Sequence, residues 1–226
     1  MRVLGIIPAR GGSKGLPGKN LMRLGGQTLI ERAVRSAQES TLLTRIVVTS
    51  DDEAIRAEAM RCGAYAAVHR PAELATDEAG MIPTLQHAVD AMASLNETYD
   101  LIVCLQPTSP FRTGEDIDET IQLVTEGVDS AQTVVAACYH PGKMMQVFAS
   151  KDVIHTHLPT ALQDSRRQDC DYYQPSGSVY VVRRHVLAAD MIIGQNHRAL
   201  IVPWERSINI NTLWDFKIAE MILENR

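Results

Sequence analysis

The 226-residue chain has no apolar run approaching the roughly 20 residues that a bilayer-spanning helix needs, so we expect no membrane association. The apolar run at residues 3–7 is also too short for a signal peptide. Cysteine is scarce, and the four cysteines, at positions 62, 104, 138 and 170, lie more than 30 residues apart. Because no CxxC pair exists, neither a zinc knuckle nor a redox dithiol is indicated, and we expect reduced thiols in a cytoplasmic protein.

A strong charge of one sign is also missing, since the net charge is only −5. A slightly acidic chain does not attract nucleic acid through bulk electrostatics, although a local basic pocket for a phosphorylated ligand remains compatible with it. Hydrophobic residues make up 45% of the chain and charged residues 22%, as in an ordinary globular protein. The length suits one domain with a full core.

Short β-branched runs alternate with amphipathic helical patterns, which predicts βαβ units and a mainly parallel sheet flanked by helices. The strands are predicted at residues 3–7, 46–49, 65–68, 101–105, 133–138, 178–182 and 200–202. The helices are predicted at 28–37, from a Ser50-Asp51 cap through 62, and at 81–92, 115–125, 184–189 and 212–223. We expect a single domain over 1–226, with an insertion at about 139–177 where the regular pattern loosens.

The loop after the first strand, residues 8–20, reads Pro-Ala-Arg-Gly-Gly-Ser-Lys-Gly-Leu-Pro-Gly-Lys-Asn. Ligands of open α/β sheets bind beyond the carboxyl ends of the strands, where this loop lies. Its glycines let the backbone approach a ligand and offer N–H groups to anionic oxygens. Arg10, Lys14 and Lys19 add three cations, a combination that suits a nucleoside triphosphate. Neither the Walker A register nor the GxGxxG fingerprint is present.

This loop resembles the signature of the acylneuraminate cytidylyltransferases, the CMP-sialic acid synthetases. Residues 70–75 (RPAELA), 105–112 (LQPTSPFR) and 207–212 (SININT) resemble that family in the same order, so the resemblance covers nearly the whole chain. It implies a Rossmann-like nucleotidyltransferase fold. It also implies an enzyme of cell-surface polysaccharide biosynthesis that couples CTP to a nonulosonic acid, such as N-acetylneuraminate or legionaminate, and releases pyrophosphate.

The resemblance also implies roles for individual residues. Catalysis would rest on Arg10, Lys14, Lys19 and Gln106. The nucleotide would contact Arg10, Gly11, Gly12, Ser13, Lys14, Lys19, Asn20 and Arg70. The sugar would contact Gln106, Lys143, Arg166, Arg167, Ser176 and Tyr180, with Arg166 and Arg167 as alternatives for one role. Cations suit the acceptor because it carries a carboxylate. The insertion would mediate a homodimer.

Two departures from the family pattern affect these expectations. Ser176 stands where the family usually has an asparagine near the sugar. Asn209 and Asn211 stand where the family has two aspartates that hold Mg²⁺. We expect Asn209 and Asn211 to ligate Mg²⁺ more weakly than carboxylates would, with CTP supplying most of the coordination, because Mg²⁺ favours charged oxygen donors.

Three alternatives stay open at this point. The same chemistry on 3-deoxy-octulosonate and the use of another nucleotide are two of them. The third is a non-catalytic nucleotide-binding relative, which the two asparagines suggest.

Overall fold

A computed structural model describes residues 1–138 and 172–225, together with the backbone of two short strands at Met145–Val147 and Ile154–Thr156. Three predicted sugar contacts, Lys143, Arg166 and Arg167, therefore lie outside the described residues, as does most of the predicted insertion.

A seven-stranded sheet forms the centre of the fold, in the order β11-β7-β10-β6-β1-β4-β5. β10 runs antiparallel to β6 and β7, and every other neighbouring pair in this sheet is parallel. The strands of this sheet are β1 (Val3–Pro8), β4 (Arg45–Ser50), β5 (Ala66–His69), β6 (Leu101–Leu105), β7 (Ser130–Ala136), β10 (Tyr173–Arg183) and β11 (His197–Ile201). Two small hairpins pair β2 (Arg23–Leu24) with β3 (Gln27–Thr28) and β8 (Met145–Val147) with β9 (Ile154–Thr156). The mainly parallel sheet predicted from the sequence is confirmed.

Six α-helices in the described residues connect or flank these strands. They are α1 (Leu29–Gln38), α2 (Glu53–Arg61), α3 (Met81–Ala93), α4 (Gly114–Gln122), α5 (Arg184–Ala188) and α6 (Leu213–Glu224). Thr28 is the N-cap of helix α1, as predicted, and its hydroxyl accepts a hydrogen bond from the Glu31 amide at 3.0 Å. None of the helices in the described ranges is long and apolar enough to cross a membrane.

Two apolar clusters cover the two faces of the sheet. In β1, Val3 and Ile7 pack in the cluster that includes α1, whereas Leu4 and Ile6 pack in the cluster that includes α3. Successive residues of a strand point to opposite faces, so a strand covered on both sides reads as a continuous apolar run. This burial explains why β1 was recognisable in the sequence.

Three strands, β7, β10 and β11, begin three or more residues earlier than predicted, and the additional stretch of each contains polar residues. β11 begins at His197 rather than at residue 200. β7 begins at Ser130 rather than residue 133, and the Ser130 hydroxyl pairs with the His197 ring of β11 at 2.7 Å. β10 begins at Tyr173, within the predicted insertion, and its register shifts between Pro175 and Tyr180. Side-chain hydrogen bonds across strands make burial of these polar groups tolerable.

The order of the central strands creates a crevice. The chain passes from β1 through α1 to β4 on one side, whereas β6 pairs with β1 on the other side. The loops after β1 and β6 therefore diverge at the carboxyl edge, which is where ligands bind in open α/β sheets.

The N-cap of helix α2 is Asp52, and the predicted Ser50-Asp51 cap was wrong by one residue. The Asp52 carboxylate accepts hydrogen bonds from the amides of Ala54 and Ile55 at 2.7 and 3.2 Å. We expect Asp52→Ala to lower the free energy of unfolding by about 1 kcal/mol, since these amides lose their acceptor. Asp52→Asn keeps an acceptor oxygen and should lose much less in urea unfolding; equal losses would contradict the cap.

Candidate active site

A cleft of about 290 Å³ opens at the carboxyl ends of β1 and β6. It is bounded by the loop after β1, by the segment that leads into α3 and by the loop after β6. Its lining residues are Pro8, Arg10, Gly12, Ser13, Lys19, Asn20, Arg70, Ala79, Gly80, Met81, Thr84, Gln106, Pro107 and Thr108. Six of the eight predicted nucleotide-binding residues and the predicted Gln106 therefore line one cleft.

The glycines of the loop have different surroundings. A Cβ on Gly11 would lie 2.8 Å from the Asp52 Cβ, and the Gly11 amide donates to the Asp51 carboxylate at 2.9 Å. A Cβ on Gly15 would lie 2.4 Å from the Asn211 carbonyl oxygen, whereas one on Gly12 would meet nothing within 4 Å. Only Gly12 among these three faces open space. The expectation that Gly11 offers its N–H to the nucleotide is not supported, because Asp51 already accepts that hydrogen bond.

Arg10 and Lys14 share one carboxylate. Arg10 Nη2 lies 2.7 Å from Asp77 Oδ1, and Lys14 Nζ lies 2.5 Å from Asp77 Oδ2. Arg10 also donates through Nη1 to the Thr76 carbonyl at 2.8 Å. Lys14 does not line the main cleft but an adjoining cavity, and its side chain is 81% exposed. The predicted cations thus separate into an outer lysine and an arginine that borders both spaces.

Lys19 is held inside the cleft by the segment before α6. Its ammonium donates to the Ile210 carbonyl at 2.8 Å and to Asn211 Oδ1 at 3.3 Å. Burial lowers the pKa of Lys19, the positive charge of Arg10 lowers it further, and Asp215 opposes the shift. The two cations are therefore close enough to repel each other, and an anion between them would relieve that repulsion.

Asn20 anchors the loop and leaves one acceptor free for a ligand. Its amide nitrogen donates to the Arg10 carbonyl at 2.9 Å, and the residue is 6% exposed. Its Oδ1 is buried and has no hydrogen-bond partner among the described residues. A buried unpaired acceptor is costly, so a donor on a bound ligand would stabilise this site.

Arg70, which follows β5, is the most buried cation of the cleft. The residue is 5% exposed and donates to the Thr49 carbonyl at 2.7 Å, and its Nε has no partner in the part of the chain that the structure describes. Burial lowers its pKa to about 10, with Asp51 opposing and Arg10 reinforcing the shift. No carboxylate in the described part of the chain lies within ion-pair distance of it. A buried guanidinium without a counter-ion favours binding of an anion.

Gln106 faces the β10 bulge and the segment before α6. A Cβ on Gly177 would lie 3.6 Å from Gln106 Oε1 and 2.4 Å from Asn209 Nδ2. The Ile210 amide donates to the Thr108 carbonyl at 2.8 Å, which ties the segment to the loop after β6. Three stretches that are far apart in sequence therefore meet beside the cleft.

Arg112 is a site-supporting residue that sequence reasoning placed in a family block but gave no role. It is 4% exposed and donates to the carbonyls of Gln106 and Ser178 at 3.1 and 3.0 Å, and to the Ser36 hydroxyl at 3.2 Å. Burial lowers its pKa to about 10. Its planar guanidinium links three elements, namely the loop after β6, strand β10 and helix α1. A lysine side chain does not reproduce this geometry. The sequence feature that could have identified this role is an arginine two residues after a proline turn.

Two predicted sugar contacts lie in β10 and do not line the cleft. Ser176 is 3% exposed, and its hydroxyl pairs with the Thr133 hydroxyl at 2.6 Å. Direct contact between Ser176 and a sugar is therefore not supported, because this hydroxyl serves the sheet. Tyr180 packs against the apolar cluster that includes α3, and burial raises the pKa of its phenol.

Asn209 and Asn211 lie side by side but do not fit a metal held by side chains alone. The side-chain nitrogen Nδ2 of Asn211 donates to Asn209 Oδ1 at 3.3 Å, and Asn211 Oδ1 accepts from the Lys19 ammonium. The Asp215 carboxylate accepts from the backbone amides of Asn211 and Thr212 at 3.0 and 2.7 Å. Neutral oxygens beside an ammonium are poor donors for Mg²⁺. Within the described ranges, no cluster of three His, Cys, Asp or Glu side chains borders the cleft.

The fold and this cleft define a nucleotidyltransferase-type α/β protein. A solved structure of CMP-2-keto-3-deoxy-manno-octonic acid synthetase complexed with CTP has the same fold, with a TM-score of 0.71 over 100% of both chains at 18% identity. The chain belongs to the cytidylyltransferase family, whose model, described as Cytidylyltransferase, matches residues 4–188.

Two relatives make the family likeness more specific. An N-acylneuraminate cytidylyltransferase from Escherichia coli is 32% identical over 100% of this chain, which spans 53% of that relative's length. A CMP-N,N'-diacetyllegionaminic acid synthase from Legionella pneumophila is 28% identical over 99% of this chain and 97% of its own length. The resemblance stated from the sequence motifs is confirmed.

The position of Lys19 predicts an NMR result. Its ammonium should titrate below the ordinary pKa of 10.5, because the group is buried and faces Arg10. Arg10→Gln removes the repelling charge and should raise the pKa of Lys19, as followed by the ¹³Cε shift. Arg23→Gln, which removes the same charge elsewhere, should leave it unchanged. An unshifted Lys19 in Arg10→Gln would contradict the proximity of the two cations.

Proposed function

We propose that this protein joins CMP from CTP to a nonulosonic acid and releases pyrophosphate. The observation that carries the proposal is Arg70, a buried guanidinium that has no carboxylate partner among the described residues, in the cleft that Arg10 and Lys19 also line. Three cations around one cleft suit the negative charge of a triphosphate, which must be neutralised before a nucleophile attacks phosphorus.

The acceptor class is supported by the relatives and by the chemistry of the cleft. Both relatives act, by name, on nine-carbon acidic sugars, N-acylneuraminate and diacetyllegionaminic acid. The likeness to the 3-deoxy-octonic acid synthetase is one of fold at 18% identity, so we favour a nonulosonate over that sugar. Gln106 lies opposite the glycine-rich loop and offers an amide to the polar groups of the acceptor.

The reaction needs little covalent chemistry from the protein. The acceptor's C2 hydroxyl attacks the α-phosphorus of CTP, the bond to the bridging oxygen breaks, and the hydroxyl proton passes to solvent. Arg10, Lys14 and Lys19 stabilise the charge that develops on the departing pyrophosphate, and Arg70 holds the nucleotide from inside the cleft. Arg112 keeps the Gln106 loop in place beside them. We assign no side chain as general base.

A turnover assay tests this proposal directly. With CTP and Mg²⁺, we expect pyrophosphate release that depends on an added nonulosonic acid, because the acceptor hydroxyl is the nucleophile. The panel should include N-acetylneuraminate, legionaminate, pseudaminate and 3-deoxy-octulosonate, with GTP, UTP and ATP as nucleotide controls. Arg70→Met should reduce kcat/KM for CTP at least tenfold, since one buried charge partner of the triphosphate is lost. CTP binding without turnover on any sugar would favour the non-catalytic alternative.

Mg²⁺ is part of the proposal as a companion of the triphosphate. The two asparagines and Lys19 offer it no charged oxygen, so the nucleotide would supply most of its ligands. When bound, the ion would withdraw charge from the phosphate oxygens.

The asparagine pair yields a prediction about metal dependence. Replacing Asn209 and Asn211 together by aspartate adds two anionic oxygens beside the cleft, so the Mg²⁺ concentration for half-maximal turnover should fall several-fold. Replacing the exposed Asn225 by aspartate adds a charge at the end of α6 and serves as a control. An unchanged Mg²⁺ requirement in the double variant would place the metal away from this pair.

A homodimer and a cytoplasmic location are further parts of this proposal. By the family resemblance, we propose that the insertion, about residues 139–177, mediates dimerisation. Light scattering on the purified full chain measures the first property, and fractionation of the source cells measures the second.

A further inference from the structure

Asp77 faces the loop after β1 across the cavity that adjoins the main cleft. Its two carboxylate oxygens accept from different cations, Arg10 Nη2 at 2.7 Å and Lys14 Nζ at 2.5 Å. The hydrogen bond from Lys14 is the main reason why the pKa of the Asp77 carboxyl lies below its ordinary value. The same segment also holds Arg10 through the Thr76 carbonyl.

The surroundings of this carboxylate resemble those of a bound phosphate. It lines a cavity of about 290 Å³ that adjoins the main cleft. Arg10, Gly12 and Ser13 border both spaces, so an anion that extends from the main cleft past Arg10 enters the cavity of Asp77. A carboxylate bridging two cations presents oxygens to them much as a phosphoryl group does.

We propose that Asp77 is an internal competitor for the phosphate groups. Its carboxylate neutralises Arg10 and Lys14 before the triphosphate binds, gives way when the phosphates arrive, and pairs with the cations again as pyrophosphate leaves. Asp77 is thus a positioning residue that acts through these two side chains. The inference rests on the proposed function, because it assumes that phosphates bind to Arg10 and Lys14.

The exposure of the three groups makes such an exchange feasible. The side chains of Asp77 and Arg10 are 32% and 33% exposed, and that of Lys14 is 81% exposed. Partly solvated ion pairs are weak, each changing an equilibrium by roughly fivefold at most. Contacts of this strength compete measurably with phosphate oxygens for the two cations and can still be displaced by them. The buried Arg70 has no such competitor among the described residues.

The test compares Asp77→Asn with Glu78→Gln. Both variants remove one negative charge at adjacent exposed positions, so they change long-range electrostatics equally. Without its competitor, Asp77→Asn should lower both the KM for CTP and the inhibition constant of pyrophosphate by about two- to fivefold. Glu78→Gln should leave both constants near the wild-type values, and Asp77→Glu should restore wild-type behaviour.

An increase in both constants in Asp77→Asn would overturn the inference. If Asp77 only orients Arg10 and Lys14 for the phosphates, Asp77→Asn will raise the KM for CTP and the inhibition constant of pyrophosphate. Equal constants in Asp77→Asn and Glu78→Gln would likewise show that the pair does not compete. A thermal unfolding curve for each variant verifies that the fold is retained.

Calorimetric binding of inorganic pyrophosphate separates this inference from the proposed function. Should the wild-type protein release no pyrophosphate with any sugar, the proposed function fails. Tighter pyrophosphate binding to Asp77→Asn than to the wild type would still support the competitor role. Unchanged or weaker binding would overturn that role even in an active enzyme.

Discussion

Positive charge buried at the carboxyl edge of the sheet is the constraint on which the site depends. Arg70 and Arg112 are 5% and 4% exposed, and their hydrogen bonds go to backbone carbonyls and one hydroxyl instead of carboxylates. Removing such charges from water is costly unless their donors are satisfied. Arg112 satisfies its donors by holding three segments together. Arg70 has an Nε that no described residue pairs with, and so it retains a donor for an anion.

The cations differ in depth, and this difference matches the proposed reaction. Arg70 and Lys19 lie inside the cleft, where an electrostatic interaction is strong because water is limited. Arg10 and Lys14 lie outward and share the partly solvated Asp77. The proposed reaction uses both kinds of cation. The buried cations bind the nucleotide firmly, and the partly solvated cations release the pyrophosphate. The segment before α6 contacts both parts of the site. Its Ile210 carbonyl accepts a hydrogen bond from the inner Lys19, and its backbone packs against Gly15 of the loop that carries Lys14.

Much of the fold was predictable because its central strands, β1 and β6, are buried on both faces. β6 was predicted with its observed bounds, Leu101–Leu105, and all five of its residues are buried. Prediction failed where polar groups enter the sheet, as with Ser130 at the start of β7 and Ser176 in β10, whose cross-strand partners are distant in sequence. The Asp52 cap was missed because adjacent Asp51 is equally suitable by residue type, and only its contact with Gly11 distinguishes the two.

The sequence by itself determined the βαβ architecture, the glycine-rich cationic loop and the family, because these follow from local periodicity and contiguous motifs. The tertiary structure decided which groups remain available for a ligand. It paired Gly11 with Asp51, withdrew Ser176 into the sheet and placed Asp77 between two cations. Such pairings join residues 40 or more positions apart, and the energy of a charge depends on its burial and its neighbours. Neither these pairings nor the burial of a charge can be read from residue order.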